Sequence, residues 1–151
     1  MASEAPFECP ATLGLRRIVA DAVMLRFRVE TAIWNLDATS AGAAMMLERA
    51  STHLDELTRG AAIRVHVLQG STNWSLDEVR SLSRVSGKEI ALSALGFELA
   101  RLCEDCRGVM ELARQCEDSA TERLLAARVV PLEQALWRLN QCCRLAPAAA
   151  R

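Results

Sequence analysis

Tyrosine is absent, lysine occurs once (Lys88), and aromatic residues make up only 4% of the 151 positions. Sheets draw on β-branched and aromatic side chains, whereas the apolar mass here is Leu, Ala, Val, Met and Ile, a mixture that favours helices. With one lysine and a formal net charge of −1, bulk electrostatics will not draw the chain to nucleic acid. No segment approaches the roughly 20 uninterrupted apolar residues of a membrane span. The opening MASEAPFECP carries acids where a secretory leader needs basic residues, and no apolar run follows. A cytoplasmic location is therefore expected, with the six cysteines mostly reduced. Their spacing yields a single C-x-x-C with both histidines elsewhere, which excludes a zinc framework.

Hydrophobic residues make up 51% of the chain and charged residues 25%, so one folded, water-soluble domain is expected. The periodicity predicts four long helices. In the first, Leu15, Ile18, Ala22, Leu25, Val29, Ala32 and Leu36 recur at steps of three and four, with Thr12 as the N-cap. DATSAG reads as a turn. The second stripe is Leu47, Ala50, Leu54, Leu57, Ala61, Arg64 and Leu68, with one arginine set among apolar residues. A charge in that position needs an acidic partner. QGSTNWS is a loop, and Ser75 can cap a short helix running through Val85. After Gly87 come Leu92, Leu95, Leu99, Leu102, Cys106, Val109, Ala113 and Cys116. The last helix opens on a capping box, Ser119 with Glu122, and continues through Leu125, Val129, Leu132, Leu136 and Leu139. Pro131 should kink it. The domain is placed at residues 12–143, between tails of 1–11 and 144–151.

Four long helices with one long connection between the second and third make the ferritin-like arrangement, although periodicity leaves cytokine-like and up-down bundles open. The segment Leu15 to Ser40 resembles the first helix of the Dps family (DNA-protection-during-starvation proteins), with Ala20-Asp21 and Trp34-Asn35 in the places of that family's Ala-Asp start and His-Trp-Asn end. Arg64 followed by Leu68 resembles the end of the family's second helix, and Leu136-Trp137 its last. The resemblance spans most of Leu13 to Asn140. It implies an all-α, ferritin-like four-helix bundle with a short helix in the crossover. It also implies subunits that pair and build a dodecameric shell, iron oxidation with peroxide, mineral storage and, in many members, DNA binding.

The resemblance places the family's iron site between two subunits. One supplies two histidines and an acid, the other an Asp and a Glu. Iron favours such oxygen and imidazole donors. Carried over, the first His position is Ile33, and the second is Ala44, or Met45 if the preceding loop is not one residue shorter. The acid is Glu48, the partner's Asp is Arg59 and its Glu is Ile63. Glu48 alone keeps a ligand-type side chain, and one carboxylate cannot hold two irons. The expectation is a shell or scaffold protein with a degenerate site, no catalytic residues and no cofactor. Glu48, Arg59 and Trp34 then sit at the subunit interface, with Glu48 of one copy facing Arg59 of the next. The competing reading is an active iron-storing protein with iron at a relocated site.

Other reactive side chains read as structural. His53 and Glu56 share a helix face, but in the reverse of the Glu-x-x-His order of bundle di-iron sites, and Glu30 stands apart. His66 lies alone between valines. Cys103 and Cys106 are a redox pair only if their thiols ionise, and Glu104 and Asp105 between them oppose that. Cys142 and Cys143 are adjacent and rarely bridge each other. DNA binding would be weak: the first basic residue is Arg16, after Glu4 and Glu8, and the C-terminal segment carries only Arg144 and Arg151. Partners are thus other copies of the chain, an active paralogue that co-assembles, and no membrane.

Overall fold

The computed structural model of the protein describes residues 10–69, 72–85 and 91–145. Five helices account for most of them: α1 (Pro10–Asn35), α2 (Ala41–Gln69), α3 (Leu76–Leu82), α4 (Leu92–Gln115) and α5 (Ser119–Leu145). A short 3₁₀ turn, Ala38–Ser40, stands in the DATSAG turn. Asp37 starts it by accepting from the Thr39 amide and from the Thr39 and Ser40 hydroxyls. Those hydroxyl bonds hold the Asp37 carboxyl below its ordinary pKa. Among the described residues no helix is long and apolar enough to cross a membrane.

The four long helices pack as a square in which every neighbouring pair is antiparallel. Arg26 meets Asp55 across α1 and α2, and Arg28 approaches Glu98 across α1 and α4. Glu56 meets Arg128 across α2 and α5, and Arg107 meets Glu133 across α4 and α5. Since α2 and α4 both run against α1, they are parallel to each other, and the chain must travel the length of the bundle between them. That crossover carries α3 against α1. The observed architecture is the all-α four-helix bundle with a short extra helix in the crossover.

One leucine-rich stripe per helix fills the centre. Leu15, Leu25, Leu47, Leu54, Leu57, Leu95, Leu99, Leu125, Leu132 and Leu139 are all fully buried. Close approach between helices relies on glycine. A Cβ on Gly14 would stand 2.4 Å from a Val109 methyl, so α1 and α4 touch there at backbone range.

Two polar networks fix the connections. Asp21, 2% exposed on α1, accepts from the Ser83 hydroxyl at 2.9 Å and the Arg84 amide at 2.6 Å. The Arg84 guanidinium lies 3.5 Å from Asp21 and 2.5 Å from Asp105 on α4, so the exit from α3 is tied to two helices. At the α4–α5 turn, Arg64 of α2 donates to Asp118 at 2.7 Å and to the Thr121 hydroxyl at 3.0 Å. The arginine in the apolar stripe therefore has the acid it required.

Several local expectations are corrected. Thr12 lies buried inside helix α1 (Pro10–Asn35) instead of capping it. Ala11 is already in the core. Asp118, not Ser119, caps α5: it accepts from the Thr121 amide at 3.0 Å, and Glu122 instead pairs with Arg114. Ser75 does cap α3, accepting from the Glu78 amide at 3.1 Å. The helix stops at Leu82, before Val85, because Ser83 and Arg84 turn out to meet Asp21. Cys116 is the exposed C-cap of α4 and not a core residue. The kink expected at Pro131 is not an end, since α5 spans that residue as one element. The Gly87 start signal lies outside the described residues.

The α4–α5 turn is a Schellman motif, with the Asp118 amide donating to the Ala113 carbonyl at 2.8 Å and Glu117 in the left-handed region at φ 57°. An L side chain there costs about 1 kcal/mol. Glu117→Gly should therefore raise the unfolding free energy by about 0.5–1 kcal/mol in a urea melt. Asp118→Ala removes the cap and the Arg64 partner, and should lower it by about 2 kcal/mol. Burial raises the Asp118 pKa, but the Thr121 hydroxyl and amide and Arg64 outweigh it, and the net shift is downward. A lowered folded pKa means that Asp118 contributes fully above its ordinary value of 3.8 and that the contribution is lost as pH falls below it. Asp118→Asn should therefore show a shallower loss of stability in that acid range than the parent chain.

Candidate functional site

Helices α1 and α2 present one continuous outer face. On α1, Phe27 is 63% and Trp34 70% exposed, seven residues apart and so on the same side of the helix. Met45, Ile63 and Val67 are large exposed apolar residues on α2. Between the helices lies an open groove of about 290 Å³ lined by Val23, Arg26, Phe27, Glu30, Trp34 and Thr58. Phe27 and Trp34 at this groove, with Met45 and Ile63 five turns apart on α2, leave large apolar side chains exposed, the mark of a surface made to be covered.

The positions expected to hold iron lie along it. Ile33 is half-buried at the end of α1 and packs against the core. On α2, Ala44 is half-buried, while Glu48, Arg59 and Ile63 are exposed. The steps from Ala44 to Glu48 and from Arg59 to Ile63 are one turn, and that from Glu48 to Arg59 is close to three, so these residues form one outward stripe. Glu48 and Arg59 are about 16 Å apart along the helix axis. Within one chain they cannot meet.

Arg59 already has a neighbour. Its guanidinium donates to Asp55 at 2.8 Å, and Arg26 of α1 donates to the same carboxylate at 2.5 Å. Asp55 and Arg26 were not singled out from the sequence; the one-turn spacing of Asp55 and Arg59 was the available signal. Two guanidiniums on one carboxylate leave a local excess of one positive charge. Glu30 accepts from the Ser51 hydroxyl.

The remaining reactive groups are not brought together. His53 Nδ1 stands 3.8 Å from Glu56, whose carboxylate is also held by Arg128 at 3.0 Å. His66 is exposed. Among the described residues, no three His, Cys, Asp or Glu side chains are grouped so as to hold a metal ion. Cys103 and Cys106 are buried, and burial, more than the flanking acids, pushes the Cys103 thiol up to about 12 and the Cys106 thiol higher still. Such thiols are not nucleophiles at neutral pH. Cys142 is half-buried against the core, and Cys143 is exposed, its thiol raised by partial burial and by Cys142.

Several solved structures share this architecture. A Dps homologue from Halobacterium salinarum superposes with a TM-score of 0.81 at 18% identity, over 93% of this chain and 83% of that one. Dps from Thermosynechococcus elongatus gives 0.80 at 14% identity, over 93% and 94% of the two chains. DpsC from Streptomyces coelicolor gives 0.80 at 18%, over 93% and 87%. The fold is that of the Dps proteins. No protein-family model matches the sequence, and no curated relative does either. The Dps fold is thus kept at an identity too low to carry activity with it.

The burial pattern predicts thiol chemistry directly. Exposed Cys116 and Cys143 should react with a thiol-specific disulfide reagent within minutes in the native protein, whereas Cys103 and Cys106 should react only after denaturation. Peptide mapping of the labelled chain distinguishes them. Labelling of Cys103 or Cys106 under native conditions would contradict their role as core residues.

Proposed function

We propose that this chain is a Dps-like shell or scaffold protein in which the iron-oxidising centre has been replaced by an apolar and ionic contact between two copies. The observation that carries this reading is the stripe on α2 together with Ile33 at the end of α1. At the positions where the resemblance calls for metal ligands, the chain has Ile33, Ala44, Arg59 and Ile63 beside the single carboxylate of Glu48. Three of these are apolar and one is cationic, a donor set that does not fit iron. They lie on the face that carries Phe27, Trp34 and the groove between α1 and α2. A second copy turned about a two-fold axis would cover that face, since an isologous contact matches one patch to itself.

In such a pair the stripes of the two α2 helices run in opposite directions, so Glu48 of one copy approaches Arg59 of the other. The positive excess around Arg26, Asp55 and Arg59 receives the carboxylate. This pair sets register more than it adds stability, because the desolvation of two charges offsets much of their attraction. Pairs of this kind are the unit from which a dodecameric shell would be built in the cytoplasm, alone or with an active paralogue. DNA contact would be weak and strongly salt-dependent.

Purified protein mixed with ferrous iron and peroxide should show ferric absorbance rising no faster than in buffer alone. Rapid oxidation with mineral retained by the protein would sink this reading and require a relocated centre. Glu48→Ala should weaken dimer association about tenfold in sedimentation equilibrium, a loss of ~1.4 kcal/mol. An unchanged dimer constant would rule out the Glu48–Arg59 contact. The quadruple variant Ile33→His, Ala44→His, Arg59→Asp, Ile63→Glu restores the implied donor set and should bind ferrous iron measurably.

A further inference from the structure

The seam between α2 and α5 is bordered by two facing stripes of side chains. A Cβ on Gly60 of α2 would stand 3.3 Å from a Leu124 methyl of α5, and Glu56 meets Arg128 at 3.0 Å. These two contacts fix which sides of the helices face each other and at what height. Four, seven and eleven residues before Gly60 come Glu56, His53 and Arg49, so these share one stripe of α2. Four and fourteen residues after Leu124 come Arg128 and Arg138, on one stripe of α5. The helices are antiparallel, so a step back along α2 climbs the seam as a step forward along α5 does. In order along it stand Arg128, His53, Arg49 and Arg138, at steps of about 5 Å and over about 15 Å in all.

The charge on this line is one-sided. Among the described residues Glu56 is the one acid on the two stripes, and its carboxylate lies 3.0 Å from Arg128 and 3.8 Å from His53 Nδ1. The α5 acids Glu122 and Glu133 turn instead to α4, where Arg114 and Arg107 hold them, and Asp55 of α2 turns to Arg26 of α1. Arg49 and Arg138 are exposed, and neither makes a hydrogen bond or ion pair among the described residues. Three arginines against one carboxylate leave two positive charges on the line, in a chain whose net charge is −1. Like charges held on neighbouring helices repel one another, and a bound anion relieves that repulsion.

We infer that the α2–α5 seam is a binding site for a short inorganic oligophosphate, held by Arg49, Arg128 and Arg138 with His53 as a further donor. The planar fork of a guanidinium matches phosphate oxygens two at a time, and arginine supplies three of the four groups. A linear anion with charge on every unit suits donors spaced along a line. A DNA duplex offers the same phosphate chemistry, but a line this short reaches few of its phosphates, and neutralising few gives weak binding that salt abolishes. A free oligophosphate places its whole charge within the line. The site needs neither iron nor a second copy of the chain, and it is separate from the outward stripe of α2 that carries Glu48 and Arg59.

The test is calorimetric titration of inorganic tripolyphosphate into the full chain at low ionic strength, with helical content followed by circular dichroism. One tripolyphosphate should bind per chain, and added salt should weaken it. Arg49→Ala and Arg138→Ala should each lower the affinity about tenfold while the helix signal stays, since neither side chain supports the fold through a contact of its own. Glu56→Gln should raise the affinity about threefold, because it removes the acid from the line and frees Arg128. Arg17→Ala removes an exposed arginine that borders the α1–α4 groove, away from the seam, and should leave the affinity unchanged. No binding at low salt, an equal loss from Arg17→Ala, or a weaker complex with Glu56→Gln would each overturn the inference. Displacement of tripolyphosphate by a short DNA duplex at matched phosphate concentration would overturn the choice of occupant. Iron oxidation, which decides the preceding reading, does not enter this readout.

Discussion

The carboxylate of Asp21 holds the topology in place. A bundle in which α2 and α4 run parallel needs a connection along its whole length, and a long connection is entropically loose unless it is pinned. Asp21 pins it from inside α1: Ser83 and the Arg84 amide bond the carboxylate directly, and the Arg84 side chain carries the connection across to Asp105 on α4. Burying a carboxylate is costly without such partners. The cost is met here by donors that exist only if the crossover lies where it does, so the same interaction selects one topology among the ways of connecting four helices.

At one end of the bundle, Arg64, Asp118 and Thr121 do for the α4–α5 turn what Asp21, midway along α1, does for the crossover. Between the two networks the leucine stripes carry most of the burial energy but little specificity, since one leucine-lined helix packs on another in several registers. Polar groups that must be satisfied, and Gly14 where no Cβ fits against Val109, remove that freedom.

With the core and connections accounted for, the surface stands out. Among the described residues, many charged side chains meet within the chain as arginine–carboxylate pairs between neighbouring helices. The large apolar groups left outside gather on the α1–α2 face and along α4 and α5. On the proposed reading, a face where the family resemblance implies metal ligands is shaped in this chain by apolar contact and charge.

The number of helices, their approximate ends, the crossover helix with its Ser75 cap and the core stripe were legible in the sequence, because each rests on local periodicity or a local cap. Arg64 could be recognised as needing an acid, but not which one, since Asp118 is distant in the chain. The sequence placed the α5 cap at Ser119, where Asp118 takes the role, and the α1 cap at Thr12, which lies inside the helix. In the first case a tertiary demand, the Arg64 contact, recruited Asp118 for two tasks at once; in the second the core reached back to Ala11. The neighbours of Arg59 were equally hidden, because Arg26 comes from another helix. Local sequence determined which segments are helical and which faces are apolar. Only the packed bundle decided which charges meet, which thiols are silenced, and which apolar residues remain outside, because those depend on distances between segments that the order of residues does not encode.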